Sequence, residues 1–274
     1  MGSRQVEDEP SERPDLILGV VDKLPFHEIN RFLTTLRQSG FGGHVCLFAG
    51  PRMGRLTLAA IRGRGVELIR YGKRFHSVGN QRVPEPIHLY NLRHFLYRDY
   101  LEKHGRTFRN VMITDVRDVV FQRDPFEFEI DDRIQVAMES RAIPIGACDH
   151  TMDWLRAGYD EQVVESLKDR ELSCAGTTIA PAPLMARYLD AMLGEIRSMD
   201  DAVACVDQAA HNWLVHSGSL PIRKLYKFEG PILTAGTEVA LLQDSTGNLI
   251  NRDGSIVNVI HQYDRHPHLI EHFD

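Results

Sequence analysis

Two aspartates, Asp115 and Asp118, follow the short apolar run Val111-Met112-Ile113-Thr114, in a segment that continues to Asp124-Pro125-Phe126. Open α/β sheets bind ligands beyond the carboxyl ends of their strands, and carboxylates placed there can hold a hard divalent cation that also takes phosphate oxygens. The spacing sets a condition. Three residues apart on a regular strand, the two side chains would point to opposite faces. They converge only if the strand ends near Thr114 and the chain turns. The competing reading is a solvated acidic turn with Arg117 and Arg123 as counterions, and from the pattern alone the two readings stand level. Other chemistries leave less trace. No G-x-x-x-x-G-K-[ST] or H-E-x-x-H string occurs, and the first strand runs into GVVDKLP, without the glycine-rich loop usual in sugar nucleotidyltransferases. Cys46, Cys148, Cys174 and Cys205 lie far apart without C-x-x-C spacing, which argues against zinc and against a disulfide framework.

The elements that must position these acids follow from hydrophobic periodicity. The run from Asp15 to Asp22 is too continuously apolar for a half-exposed strand and suits a buried parallel one. Ile29, Phe32, Leu33 and Leu36 repeat at helical spacing, with Gly40 as the stop. A strand over His44–Ala49, a helix from Leu56 to Ile61 and a strand over Val66–Arg70 complete a βαβαβ order, for which an open sheet with right-handed crossovers is expected. Leu89, Leu92, Leu96 and Tyr100 mark a long helix closed by Gly105; Val111–Thr114 and Ile134–Met138 read as strands. Helices are predicted at Glu161–Asp169, Pro183–Met199 and Val206–His216. A hairpin with an Asp253-Gly254 turn is predicted between Asn248 and Ile260.

With 274 residues, 43% hydrophobic and 26% charged, the chain fits one sizeable α/β domain. Residues 1–14, polar, acidic and proline-containing, read as a disordered leader without the features of a secretory signal. Residues 15–274 read as a single domain, nucleotide-binding in style over 15–125 and mixed in its second half, 126–274. A net charge of −6 gives no basic footprint for nucleic acid, and short runs such as Arg62-Gly63-Arg64 and Lys73-Arg74 read as solvated surface. No apolar run reaches the ~18 residues of a transmembrane helix. A cytoplasmic location is the default, with peripheral contact at the inner face of a membrane as an extension of it.

TDVRDVVFQRDPF resembles the DxD region of GT-A glycosyltransferases, most nearly that of retaining families with a DVV-aromatic-x-x-[DN]-P string. Matching DVVFQRDP sets Asp118 on the motif's second, metal-binding aspartate. The first then falls on Val116, which cannot bind metal, and Asp115 could substitute if the turn is wider. Three later segments are similar to the same group. Val259-Ile260-His261-Gln262-Tyr263-Asp264-Arg265-His266-Pro267 sits where related enzymes carry a histidine that completes the metal site; otherwise His261 reads as a histidine hydrogen-bonded at a strand end. Leu172-Ser173-Cys174-Ala175-Gly176-Thr177-Thr178-Ile179 resembles the small-residue segment that faces the donor sugar, its other reading being a tight turn from helix to strand. Val206-Asp207-Gln208 resembles the Asp-Gln that opens a helix and reaches the donor sugar and the reacting face. A helix-starting aspartate is more commonly only a cap.

The resemblance, spread over residues 15 to 267, implies a GT-A sheet, Rossmann-like and mostly parallel, and transfer of a sugar from a UDP- or GDP-sugar to a saccharide or other hydroxyl acceptor. It implies a metal held by Asp118, Asp115 and His261, as Mn²⁺ or Mg²⁺, with imidazole better suited to Mn²⁺. Val20, Val21 and Asp22 would meet base or ribose, Asp22 being equally a turn residue. Arg93 would meet the donor sugar or diphosphate, although a surface arginine is the commoner outcome. Arg265 would meet the diphosphate or equally pair with a carboxylate, and Ala175 and Gly176 would face the sugar. Asp207 and Gln208 would stand at the reacting centre, where Gln208 stabilises the developing positive sugar in a reaction that retains anomeric configuration. An inverting reaction would need a general base, for which Glu139, Asp149 and Asp153 are candidates. Trp154 and Trp213 could stack on a sugar, although core packing is the common fate of tryptophan; Cys148–Trp154 reads as an acceptor-side loop. A metal-dependent nucleotidyltransferase or phosphohydrolase, or a silent sugar-nucleotide binder, would use the same acidic strand end.

Overall fold

The computed structural model describes residues 13–72, 77–199, 204–236 and 240–273. Nearly all of the expected leader, and Lys73-Arg74, lie outside the described residues. The chain opens with β1 (Leu16–Val21), α1 (Phe26–Gln38), β2 (His44–Ala49), α2 (Arg55–Arg62) and β3 (Glu67–Arg70). α1 buries Ile29, Phe32, Leu33 and Leu36 on one stripe, as its spacing requires, and Gly40 then takes a positive φ of 92° to reverse the chain. After the short pair β4 (Ser77–Val78) and β5 (Gln81–Arg82) comes α3 (Leu89–His104). α3 buries polar residues, Asn91, Arg93 and His94, together with its leucines and aromatics. A helix buried that broadly runs through the interior, and its polar groups need partners there.

β6 (Asn110–Thr114), β7 (Val119–Phe121) and β8 (Ile134–Met138) follow, then α4 (Asp149–Gly158), α5 (Glu161–Leu167), β9 (Ser173–Pro181), α6 (Ala182–Ser198) and α7 (Asp207–His216). The chain ends with β10 (Ile222–Leu225), β11 (Ile232–Thr234), β12 (Val259–His261) and α8 (Pro267–Phe273). Seven strands form the central sheet, in the order β10-β8-β9-β6-β1-β2-β3. All pairs are parallel except the two made by β9, which runs antiparallel between β8 and β6. This is the expected α/β architecture: a mostly parallel sheet flanked by helices. One face carries α3, α6 and α7 over a core that includes Phe95, Tyr97, Tyr188 and Met192. The other carries α1 and α2, where Phe32 meets Phe121 of β7 edge-on at 5.1 Å. A second sheet, β11-β12-β7, adjoins this layer. No helix among the described residues is long and apolar enough to cross a membrane.

Three expectations change. The segment around Ala175-Gly176 is the start of β9, a nine-residue central strand, and not a turn. Its small and hydroxylated residues hide a strand that is buried because neighbours on both sides satisfy its backbone. The predicted hairpin shrinks to one bridge, Ile250 to Ile256, around the Asp253-Gly254 turn; Val259–His261 instead pairs with β7 and β11. The Cys148–Trp154 loop is mostly helix, the first turns of α4, and Trp154 and Trp213 pack against the core between α4, α5 and α7.

Packing of α7 on β9 and α6 places His211, 0% exposed, between Ser173 and Tyr188. Ser173 Oγ donates to the Ala137 carbonyl at 3.1 Å, so it accepts from His211 Nε2 at 2.8 Å, and Nδ1 accepts from the Tyr188 hydroxyl at 2.7 Å. Both partners suit the neutral ring, and burial pushes its pKa down to about 3 from 6.5. Between those values the unfolded chain binds a proton that the folded chain refuses, so stability falls as pH drops below 6.5. Urea denaturation should show stability declining from pH 6.5 towards 4 with a slope approaching about 1.4 kcal/mol per pH unit for this group. His211→Gln should flatten that slope while lowering stability at pH 7; an unchanged slope would show that the ring is not the source.

Candidate metal centre and adjoining cleft

The chain ends β6 at Thr114 and bends through Asp115, Val116 and Arg117 before β7, which is the turn that lets Asp115 and Asp118 converge. Val116 turns inward, 2% exposed, against Gly19; a Cβ on that glycine would lie 2.5 Å from Val116 Cγ2. Val116 is therefore a core residue, and Asp115 before it takes the polar side. The Asp115 backbone N–H donates to the Gly176 carbonyl at 2.9 Å, extending the β6–β9 register by one residue. His261 arrives from the second sheet, where it pairs with Val119 of β7 and Thr234 of β11. Immediately after it Gln262 adopts a left-handed φ of 59°, and its N–H donates to the Asp118 carbonyl at 2.7 Å. Such a conformation is uncommon for a non-glycine residue, and here it turns the chain away as soon as the imidazole is delivered.

Asp115, Asp118 and His261 each offer one ligand atom, all within 4.8 Å of one another. His261 Nε2 is 3.4 Å from Asp115 Oδ2 and 3.8 Å from Asp118 Oδ1. Two features show that these residues fit a cation. Nε2 is buried without a hydrogen-bond partner. Gly176 keeps the space beside it open, since a Cβ there would stand 2.3 Å from His261 Cε1, 2.6 Å from Nε2 and 2.9 Å from Asp115 Oδ2. Burial opposes charge on the ring, yet Cys174 and the two carboxylates hold its pKa well above the ordinary value. A field that draws a proton to this position favours a metal cation too. Burial pushes the Asp118 carboxyl up, with Asp115 adding to it against the pull of His261. Asp115 is also pushed up by burial, but Arg93 and then His261 bring it below the usual carboxylate range.

Arg93 organises the floor of the site. It is 7% exposed, pairs with Asp115 through Nη1, and donates to Asp207 Oδ2 from Nη2 at 2.7 Å. Asp207 is 2% exposed and lies behind the guanidinium, with His94 at 3.5 Å and its backbone N–H donating to Asn91 Oδ1 at 3.1 Å. Asp207 thus anchors Arg93 from behind, and Arg93 in turn meets the Asp115 carboxylate. Gln208 is half-buried, and its amide clamps β9, donating to the Ser173 carbonyl at 2.6 Å and accepting from the Ala175 N–H at 2.9 Å. Arg117 spans the surface above, 3.3 Å from Asp118 and 3.5 Å from Asp264. Arg265 is exposed and makes no ion pair among the described residues.

Beyond the carboxyl ends of β1, β2 and β3 opens a cleft of about 750 Å³, lined by Asp22, Pro51, Arg52, Tyr71, Gly72, Glu85 and the Pro86–Leu92 region. Asp22 accepts from Arg52 Nε at 2.8 Å and from its backbone N–H at 3.1 Å. Val21 is wholly buried, backbone included, whereas Val20 is half-buried. A small pocket lined by Val20, Leu89, Tyr90, Arg93, Tyr97, Thr114 and Asp115 shares Leu89 with the cleft and Asp115 with the candidate metal ligands. The sequence reading missed the Arg93–Asp207 pair, the cleft walls from α3, and Cys174 beside His261. None carries a local signal, because each joins residues remote in sequence.

No family model matches the chain, and no curated protein matches it. Among solved structures, 193 chains match. They include the galactosyltransferase LgtC in complex with donor and acceptor sugar analogues and an active-site mutant of LgtC. Each is 13% identical with a TM-score of 0.49, over 90% of this chain and 86% of that one. A likeness at that level carries no residue roles across.

Two outcomes test the site's construction. Gly176→Ala should lower Mn²⁺ affinity at least tenfold while leaving the circular-dichroism spectrum unchanged, because the added methyl meets the ligand nitrogen; unaltered affinity would place the ion elsewhere. Arg93→Met leaves Asp207 buried and unpaired and should cost about 3–5 kcal/mol of stability in urea denaturation. Pairing it with Asp207→Asn should recover part of that loss.

Proposed function

We propose that this chain is a metal-dependent glycosyltransferase that moves a sugar from a nucleoside-diphosphate sugar to a hydroxyl acceptor, with retention of anomeric configuration. The observation that carries the reading is the convergence of Asp115, Asp118 and His261 just beyond the carboxyl end of β6, at the same end of the sheet as the cleft beyond β1, β2 and β3. Breaking the bond between an anomeric carbon and a diphosphate puts negative charge on the leaving oxygens. A Mn²⁺ or Mg²⁺ ion held by the triad would stabilise that charge as a Lewis acid.

In this reading the nucleoside of a UDP- or GDP-sugar lies in the cleft, with Asp22 and Val20 beside base or ribose. The diphosphate extends past Leu89 to the metal ligands. Arg265 is free to swing onto it, and its planar fork suits phosphate oxygens. Arg93 contributes by fixing the Asp115 carboxylate. The Gly176 backbone and Ala175 admit the sugar closely. Gln208 Oε1 is held by the Ala175 N–H and keeps a second lone pair for the developing positive charge on the sugar ring.

The acceptor would enter from the β8–β10 end of the same edge. There a cleft of about 240 Å³ is lined by Glu139, Arg141, Tyr226, Phe228, Glu229 and others. Of the carboxylates considered as a general base, Asp149 and Asp153 are exposed on α4, and only Glu139 lies at a strand end, just after β8. An inverting reaction would therefore turn on Glu139. Incubation with nucleotide sugars, Mn²⁺ and saccharide acceptors should release nucleoside diphosphate only when acceptor is present. Asp118→Ala should lower turnover by at least a hundredfold, and NMR of the product should show the donor's anomeric configuration. Full activity in Asp118→Ala would refute the metal site, and an inverted product would remove the role given to Gln208.

A further inference from the structure

An imidazole can give a metal only the nitrogen that bears no proton, so a histidine ligand depends on what holds its other nitrogen. The two nitrogens of His261 face different surroundings. Nε2 looks towards Asp115 and Asp118 at 3.4 and 3.8 Å. Nδ1, on the opposite side of the ring, lies 3.4 Å from Cys174 Sγ, its sole hydrogen-bond partner among the described residues. We propose that Cys174 is a positioning residue: its sulfur accepts the Nδ1–H of His261 and so fixes the tautomer and ring angle that turn the Nε2 lone pair to the ion. This rests on the metal-centre reading above and adds to it a residue outside the cluster of Asp115, Asp118 and His261.

The fold holds the thiol in place from both sides. Cys174 is 5% exposed at the start of β9, paired with Ala137 just past the irregularity in the β8–β9 register. The Gln208 amide binds the Ser173 carbonyl and the Ala175 N–H, the residues immediately before and after it. Bracketed in this way, the Cys174 Cα cannot drift from the ring. A sulfur in place of a carboxylate also suits the charge balance. Asp115, Asp118 and Asp207 already crowd this edge, and a carboxylate against Nδ1 would add a fourth negative group to a buried space.

The test is Mn²⁺ titration followed by the electron paramagnetic resonance signal of the free ion, carried into the millimolar range. It uses wild type, Cys174→Ala, Cys174→Ser, His261→Ala and the double variant Cys174→Ala/His261→Ala. Cys174→Ala should weaken Mn²⁺ binding about tenfold. Cys174→Ser, which keeps an acceptor for Nδ1–H, should recover most of that loss. In the His261→Ala background the same removal of sulfur should change nothing, because the two residues act as a pair. Equal losses with and without the imidazole would make Cys174 a packing residue and overturn the proposal, as would wild-type affinity in Cys174→Ala. Failure of the wild type to bind Mn²⁺ is a separate result: it removes the metal centre itself and this inference with it.

Discussion

The structure depends on a problem of like charge. Asp115, Asp118 and Asp207 are gathered at one end of the central sheet, and Asp118 and Asp207 are 5% and 2% exposed. Carboxylates so placed repel one another and lose hydration, so the fold must supply positive charge or lose ionisation at some of them. Arg93 supplies it to two, standing between Asp115 and Asp207, and holds Asp207 far below the usual carboxylate range despite its burial. Asp118 has only the exposed Arg117 and the edge of His261, and its pKa is raised by burial. The centre is thus half neutralised: fixed charge below, unmet charge above. That asymmetry is what a cation site needs.

The same charge pattern explains why α3 departs from an ordinary amphipathic helix. A helix packed on a sheet usually turns only apolar residues inward. α3 turns Asn91, Arg93 and His94 inward as well, because it must reach Asp115 at the end of β6 and Asp207 at the start of α7. The site is therefore a joint between elements remote in sequence. Loosening any of them shifts a ligand without touching it.

Much of the architecture was legible from periodicity. The strands β1, β2, β3, β6 and β8 and the helices α1, α3 and α6 declare themselves by apolar runs or by the spacing of apolar residues. β9 did not, because Ser173, Thr177 and Thr178 are polar; they sit buried in a central strand, where Thr114 and Thr177 hydroxyls meet at 3.3 Å. The hairpin was misread because Val259–His261 finds partners more than a hundred residues away in β7, and no local turn signal reports that pairing. Asp115, Asp118 and His261 could be nominated from a motif. What Asp207 does could not, because an aspartate at a helix start looks the same whether it caps, catalyses or anchors an arginine.

That an acid stands at position 115 and a valine at position 116 has a structural logic that links these points. At 116 the chain points into the core, where Val116 fills the space over Gly19, and a carboxylate there would be buried against apolar groups. At 115 the backbone still belongs to the β6–β9 ladder, so the side chain leaves the sheet at a fixed height, 27% exposed, beside Gly176 and His261. That position also lies over α3, which brings Arg93 to bear on the carboxylate. The result is a more rigid first ligand than one on the turn itself. Asp118 lies beyond the turn, and its carbonyl is fixed by the Gln262 N–H. One of the three side chains is therefore set by the large sheet and two by the small one, so the register of β7 against β12 fixes the gap between them.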